Sequence, residues 1–265
     1  MINVCDNSQQ EHIINYIGPE YYKCLYLYID LVKYGSSSEF TNTWVQENDG
    51  IITAVLLAYH SALHVYSKDL NFDVNELSEL IIKRNPSIIC ASADIIKLLE
   101  LQLCSRGFVS EYGHIGKFMV SNKQCEAINI SKAERNDIKT IAKLLYEDED
   151  IGASYTIADL ENQLEERLKD GFTRSYVIRD NGKVVAHLGT GAEIDNLCTI
   201  SYVITDPNYR GRGLSTSLFA YACNQLKSEG RDIYSVYYPE YSRRLHHKMG
   251  FVDCCAFGKL FRNIQ

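Results

Sequence analysis

At 265 residues the chain exceeds the usual single domain of about 100 to 150 residues, so two domains are expected. Hydrophobic residues at 46% and charged residues at 23% suit a packed core and exclude a disordered chain. The formal net charge of −7 speaks against a protein built to neutralise nucleic-acid phosphates; no nucleic-acid partner is expected, and a cationic or neutral substrate suits such a surface.

The opening residues, MINVCDNSQQEHIINY, carry neither a basic leader nor a long apolar core, and no apolar run reaches about 18 residues. A cytoplasmic location without a membrane partner is the expectation. Nine scattered cysteines without a paired framework read as reduced thiols. Cys254 and Cys255 are adjacent, so on a strand they would point to opposite faces and make a poor zinc pair, and no metal is expected.

In the first half, Tyr21, Tyr22, Tyr26 and Tyr28 suit core and domain-interface packing or, for one or two of them, a substrate wall. Asp49-Gly50 predicts a hairpin, Leu77, Leu80 and Ile81 a helix, residues 88–91 a strand, and Ile96, Leu99 and Leu103 another helix. After a short strand at 128–130, Ile138, Ile141, Ala142 and Leu145 mark a helix, and Leu160, Leu164 and Leu168 a second. Asn181-Gly182 between β-rich runs 175–179 and 183–188 is a strong hairpin signal. A strand at 198–205 ends at Asp206-Pro207. Leu214, Leu218, Ala222 and Leu226 form one helical stripe ended by Gly230, followed by a strand at 233–238, a helix at 240–249 and a strand at 251–262. The order β-α-α-β-β-β-α-β-α-β predicts a mixed sheet with helices on both faces.

Gly107-Phe108-Val109 is followed by Gly116-Lys117, and Gly250-Phe251-Val252 by Gly258-Lys259, each set directly after an apolar helix. This predicts an internal repeat of two domains, 1–124 and 125–265, joined near 121–126. Chance similarity of two helix-turn-strand units is the plain alternative.

Between the strand at 198–205 and the helix after it lies Arg210-Gly211-Arg212-Gly213-Leu214-Ser215. The first amides of a helix have no carbonyl partner and the dipole adds positive charge, so an anion binds there. Gly211 and Gly213 let the backbone approach a phosphate closely, and Arg210 and Arg212 add cationic donors. An ordinary turn with two solvated arginines is the competing reading. A P-loop and a dinucleotide fingerprint are both excluded by the residues present.

This motif resembles the signature of the GNAT acetyltransferase superfamily, Gln or Arg, two residues, Gly, any residue, Gly or Ala. The later Leu245-His246-His247-Lys248-Met249-Gly250-Phe251 resembles a second element of the same family, in the right order and spacing. The likeness runs from about residue 126 onward. It implies an α/β (α+β) chain of two GNAT-like domains, each a mixed, mostly antiparallel twisted sheet with helices on both faces. The C-terminal one would be the intact, acetyl-CoA-binding domain and the N-terminal one a degenerate, non-catalytic copy.

The resemblance further implies that the backbone of Val203, Ile204 and Thr205 pairs with the pantetheine arm of acetyl-CoA, and that residues 210–216, including Leu214, Ser215 and Thr216, wrap its pyrophosphate. The acyl carbonyl would sit where strands 198–205 and 233–238 splay, open to direct attack by an amine. The acceptor would be a small-molecule or peptide amine and the protein a monomer or homodimer.

Two positions depart from the family. His246 stands where the acid for the leaving thiolate is often Tyr; imidazole can serve when charged, or stand by while the thiolate leaves unaided. Pro239 stands where an Asn often touches the pantetheine, so Tyr238 or Ser242 would supply that contact. Both departures support an alternative, a non-catalytic acyl-CoA-binding or sensing module. No base stands out; Glu193 is the candidate, with a loop carboxylate as the plain reading, and His187 reads as a packed histidine. In the N-terminal half no glycine lies between Gly50 and Gly107, so residues 67–71 cannot make the same phosphate loop, and Leu103 occupies the position matching His246.

Overall fold

The computed structural model describes residues 1–119, 129–152, 155–171 and 173–262, without the side chains of residues 150 and 170. The expected junction at 121–126, with the 124/125 division, lies outside the described residues. The chain forms two compact units: Met1–Ile115 with Tyr237–Pro239 and Asp253–Gln265, and Gly116–Val236 with Glu240–Val252.

In chain order the first set of elements is β1 (Ile2–Val4), α1 (Gln10–Ile17), α2 (Leu25–Tyr34), β2 (Thr41–Asn48), β3 (Ile51–Tyr59), β4 (Ala62–Tyr66), α3 (Val74–Arg84), β5 (Ile88–Ser92), α4 (Ala93–Leu103) and β6 (Phe108–Phe118). The second set is β7 (Ile130–Lys132), α5 (Ile138–Tyr146), the short α6 (Glu149–Gly152), α7 (Ile157–Asp170), β8 (Ser175–Asp180), β9 (Lys183–Ile194), β10 (Leu197–Thr205), α8 (Leu214–Ser228), β11 (Asp232–Tyr237), α9 (Glu240–Lys248) and β12 (Phe251–Arg262). Apart from α6 the two sets repeat one order, as the glycine-phenylalanine repeat predicts. Gly107 and Gly250, each just before the last strand of its set, take left-handed φ of 83° and 98°.

In the first unit the strands lie in the order β1-β2-β3-β4-β5-β12-β6. β4 and β5 run parallel, while β1-β2, β2-β3, β3-β4 and β5-β12 are antiparallel. One sheet face packs Leu56, Val65 and Ile89 against Leu77, Ile81 and Leu99 of α3 and α4; the other packs Val45, Val55 and Leu57 against Ile13, Ile17 and Leu31 of α1 and α2. Tyr16, Tyr21 and Tyr28 of the α1 and α2 region line this second core, with the Tyr21 and Tyr28 rings stacked at 4.9 Å and Tyr16 edge-on to Tyr66 at 5.8 Å. The first unit takes its interior strand β12 from late in the sequence, within the stretch 125–265 that the sequence reading expects to form a second domain.

The second unit orders its strands β7-β8-β9-β10-β11. Here β10 and β11 are parallel and β7-β8, β8-β9 and β9-β10 antiparallel. Leu188, Cys198 and Ile200 face Leu218, Phe219 and Cys223 of α8, and Val177, Val184 and Ile204 face α5 and α7. Both predicted hairpins use two consecutive left-handed residues, Asp49 and Gly50 at φ 51° and 78°, and Asn181 and Gly182 at 49° and 80°. That backbone matches the right-handed twist of paired strands.

Cys254 Sγ lies 3.1 Å from the Ile115 carbonyl and Cys255 Sγ 3.9 Å from that of Tyr22. Among the described residues no three metal-ligating side chains cluster, and no helix is long and apolar enough to cross a membrane.

Candidate active site

The second unit opens along one strand. β10 pairs with β11 from Leu197↔Asp232 to Ile200↔Ser235, while its pairing with β9 slips between Ser201 and Ile204. Tyr202, within the slip, adopts φ 51°, a conformation a bulky side chain rarely takes unless its surroundings hold it. His187 is the holder. Its Nδ1 lies 2.9 Å from the Tyr202 carbonyl and its Nε2 2.6 Å from Ser175 Oγ. Burial pushes its pKa down to about 4, so the ring is neutral: Nδ1–H donates to Tyr202 and the Ser175 hydroxyl donates to Nε2.

Beyond the bulge, Val203 packs on the α8 side and Ile204 on the α5 and α7 side. Ile204 and Thr205 pair with His187 and Ala186 of β9. The side chains of this segment are thus used by the two cores, and its backbone edge away from β9 is what a ligand could pair with.

Asp206 organises the turn that follows. Its buried carboxylate accepts from the backbone and side-chain amides of Asn208 at 3.0 and 3.1 Å, with Lys183 Nζ 3.4 Å away. The hydrogen bonds from Asn208 hold its pKa below the usual carboxylate range. Arg210 is extended, and Gly211 and Gly213 both take left-handed φ, 79° and 76°. Thr205 Oγ1 and Ser215 Oγ, 2.7 Å apart, tie the strand end to the first turn of α8.

Gly213 is the N-cap of α8, and no side chain caps that end. The first amides of the helix, those of Leu214, Ser215 and Thr216, have no i−4 carbonyl to bond. An added Cβ at Gly211 or Gly213 would meet no protein atom within 4 Å, so the turn faces open space. Arg210, 58% exposed, lies with its Nε 3.4 Å from the Thr205 carbonyl; the Arg212 guanidinium sits 4.7 Å over the Tyr209 ring. In the first unit the corresponding helix α3 is closed: Asp73 Oδ1 accepts from the amides of Asn75 and Glu76 at 2.9 and 3.1 Å. A carboxylate already fills the anion's place there, and Leu70, not glycine, holds the left-handed position of the preceding turn at φ 56°.

His246 is 4% exposed, edge-on to Phe219 and Phe251 at 5.0 and 5.2 Å. Nδ1 lies 2.7 Å from the Ser242 carbonyl, to which only an N–H can donate, and Nε2 lies 2.8 Å from Ser235 Oγ. Ser235 Oγ is also 3.3 Å from the Ile200 carbonyl, at the last pair of the parallel strands. His247 is exposed, as expected of the next residue round the helix.

The structure does not bring Glu193 into this group as a free carboxylate. It pairs opposite Cys198, accepts from Thr190 Oγ1 at 2.8 Å, and lies 3.1 Å from Arg174 and 3.8 Å from Arg231. Arg174 also forks onto Glu229, whose pKa these hydrogen bonds pull down to about 2. Work as a base would require Glu193 to leave two guanidinium partners. Tyr238 lies under Lys259 Nζ at 4.5 Å in the first unit, and Ser242 is engaged by His246. Sequence reasoning missed Ser235 and the His187 clasp; a serine inside a strand and a buried histidine carry no pattern of their own.

A mostly antiparallel sheet with one parallel pair, a bulged strand beside it and an uncapped, arginine-flanked helix start make up the α/β framework of this unit. Residues 138–251 match the model of the acetyltransferase (GNAT) family, and this part of the chain is a GNAT domain, an acyltransferase whose family draws on acyl-CoA. No curated protein matches the sequence. Among solved structures, a GCN5-related N-acetyltransferase from Sphaerobacter thermophilus is similar at 12% identity, with 100% of this chain and 96% of that one covered and a TM-score of 0.66. A GNAT-family acetyltransferase from Colwellia psychrerythraea is similar at 11% identity, 99% of each chain and TM-score 0.61. A Drosophila protein is similar at 10% identity, 100% and 99%, and TM-score 0.66. At such identities the likeness shows the fold, and it extends over both units.

Proposed function

We propose that the second unit is an N-acetyltransferase that moves acetyl from acetyl-CoA to a primary amine by direct attack, and that the first unit is a degenerate relative that binds no CoA. The observation that carries this reading is the contrast between the two helix starts. α8 offers free amides, open space and two arginines, whereas Asp73 occupies the same place on α3.

Acyl-CoA supplies an activated thioester. The residues that would hold it are the backbone of Val203, Ile204 and Thr205 and the turn from Arg210 to Thr216. An incoming neutral amine forms the C–N bond as the C–S bond breaks; the amine loses a proton and the departing thiolate gains one. His246 keeps a proton in reserve for that exchange. With the ring neutral, Ser235 donates to Nε2; with it charged, Nε2–H donates to Ser235 Oγ and the hydroxyl turns to the Ile200 carbonyl, so both states stay hydrogen-bonded. The acceptor is a small-molecule or peptide amine, and base catalysis by Glu193 requires that it exchange its arginine partners.

Calorimetry with acetyl-CoA, followed by thiol release on a panel of amines, tests the reading. Binding with a stoichiometry of one and thiol release dependent on an amine support it; no acetyl-CoA binding would overturn it. The burial of His246 with both ring nitrogens engaged favours a second reading, a non-catalytic acyl-CoA-binding module, for which binding occurs and no amine elicits thiol release.

A further inference from the structure

Beside the bulge, on the face that α7 covers, the sheet is low. His187, Gly189 and Gly191 alternate along β9, and a Cβ on Gly191 would lie 2.8 Å from Thr199 Oγ1 and 3.1 Å from Ser201 Oγ. Over this floor Arg167 of α7 reaches across, its Nη1 3.5 Å from Ser201 Oγ and its guanidinium 4.4 Å from the centre of the Tyr202 ring. Tyr202 is itself fixed twice, by His187 at its carbonyl and by Gln163, which accepts its hydroxyl at 2.8 Å. Arg167, Ser175, Gly189 and Tyr202 line one cleft of about 10 Å³, room for little more than a water, so only the terminal oxygens of an anionic group could enter it.

The charge in this cleft is unbalanced. No carboxylate pairs with Arg167 among the described residues, whereas nearby cations are matched: Arg135 and Lys169 with Glu165, and Arg174 with Glu193 and Glu229. His187 adds no charge, since burial keeps it neutral down to about pH 4. A guanidinium lying on an aromatic face keeps its N–H edge available, and that edge fits a carboxylate or phosphate in the plane of the fork.

Ser201 directly follows Ile200, where the parallel strands part, and one strand residue advances about 3.3 Å. An anion held by Arg167 therefore lies a few covalent bonds from an amine placed at the parting of the strands. We propose that the acceptor is an amine that carries an anionic group, a carboxylate or a phosphate ester, a few bonds from its nitrogen, and that Arg167 selects it. This rests on the acyl-transfer reading of the same unit.

The test uses matched pairs of amines titrated into the full-length protein with CoA present: amino acids against their amides, and O-phosphoethanolamine against ethanolamine. An anionic member binding at least about tenfold more tightly than its neutral partner is expected, worth about 1.4 kcal/mol. Arg167→Gln should erase that ratio and Arg167→Lys keep part of it. The amino-acid and phosphate arms distinguish the two sources of the anion. Equal binding within every pair, no binding of any anionic member, or a ratio that survives Arg167→Gln would overturn the proposal. Failure of acetyl-CoA itself to bind, read before any amine is added, would instead sink the acyl-transfer reading.

Discussion

The ring of His246 touches the parting of the parallel strands through a single hydroxyl: Nε2 is 2.8 Å from Ser235 Oγ, which is 3.3 Å from the Ile200 carbonyl. Ser235→Ala cuts that link at the cost of one oxygen. It should lower the rate of acetyl transfer roughly ten- to a thousandfold, within the range general acid catalysis supplies, with little change in acetyl-CoA affinity. His246→Ala should do the same and also lose about 2 to 4 kcal/mol of stability, because it empties a space between Phe219 and Phe251. His246→Tyr should retain activity. Turnover in Ser235→Ala equal to that of the natural protein, at saturating acceptor, would remove the pair from the mechanism.

Gly213→Asp puts a side chain and a negative charge at the bare start of α8, on a left-handed backbone that differs from the extended cap position of Asp73. The charge opposes the pyrophosphate, so acetyl-CoA affinity should fall roughly ten- to a hundredfold or more, the worth of one or two charge-assisted hydrogen bonds. Stability should fall by about 1 to 2 kcal/mol, the cost of a non-glycine residue at a φ of 76°. Unchanged affinity by calorimetry would refute the placement of the cofactor.

Gly113→Ala should destabilise the first unit. A Cβ there would sit 2.4 Å from the Tyr237 carbonyl oxygen and 2.9 Å from the Tyr238 Cα, both backbone atoms that cannot swing aside. A loss of about 1 to 3 kcal/mol is expected. The chain's one tryptophan, Trp44, is buried in this unit, so its fluorescence during denaturation reports the loss directly.

Acid should weaken the second unit through His187. In the unfolded chain a histidine takes up its proton near pH 6.5, but in the folded unit burial delays this to about pH 4. Between those values the unfolded state binds more protons, so stability is full above pH 6.5 and falls on acidification, by about 2 kcal/mol at pH 5. In the first unit His64, lowered to about 4 by burial, acts in the same direction. Its neighbour Asp30, raised to about 7 by burial, acts in the opposite one, because there the unfolded state releases a proton that the folded state keeps. Hydrogen exchange at pH 7 and 5, corrected for intrinsic rates, should show protection lost more in β8 and β9 than in β3 and β4.

Much of this was legible in residues whose backbone demands are local. Asp49-Gly50 and Asn181-Gly182 mark hairpins because few other pairs accept two left-handed residues in succession. Gly211 and Gly213 mark the turn before α8 for a related reason. The chemistry of His246 was legible by position only: its burial and its bond to Ser235 depend on how α9 lies against β11, which no spacing encodes. Glu193 looked like a free carboxylate because Arg174 and Arg231, distant in sequence, meet it only in the fold. Asp73 is a common cap residue, and its meaning emerges only beside the bare start of α8.

Strand β12 has a consequence for the order of events during synthesis. Ile88 pairs with Phe261 and Ser92 with Phe257, so β12 fills an interior position of the first unit, between β5 and β6. Until residues near 257 to 261 leave the ribosome, β5 presents an unpaired edge, and a nascent chain with such an edge is exposed to mispairing and to partner-chain exchange. The unit whose sequence emerges first therefore completes its sheet last, and its folding rate is governed by closure of a very long loop.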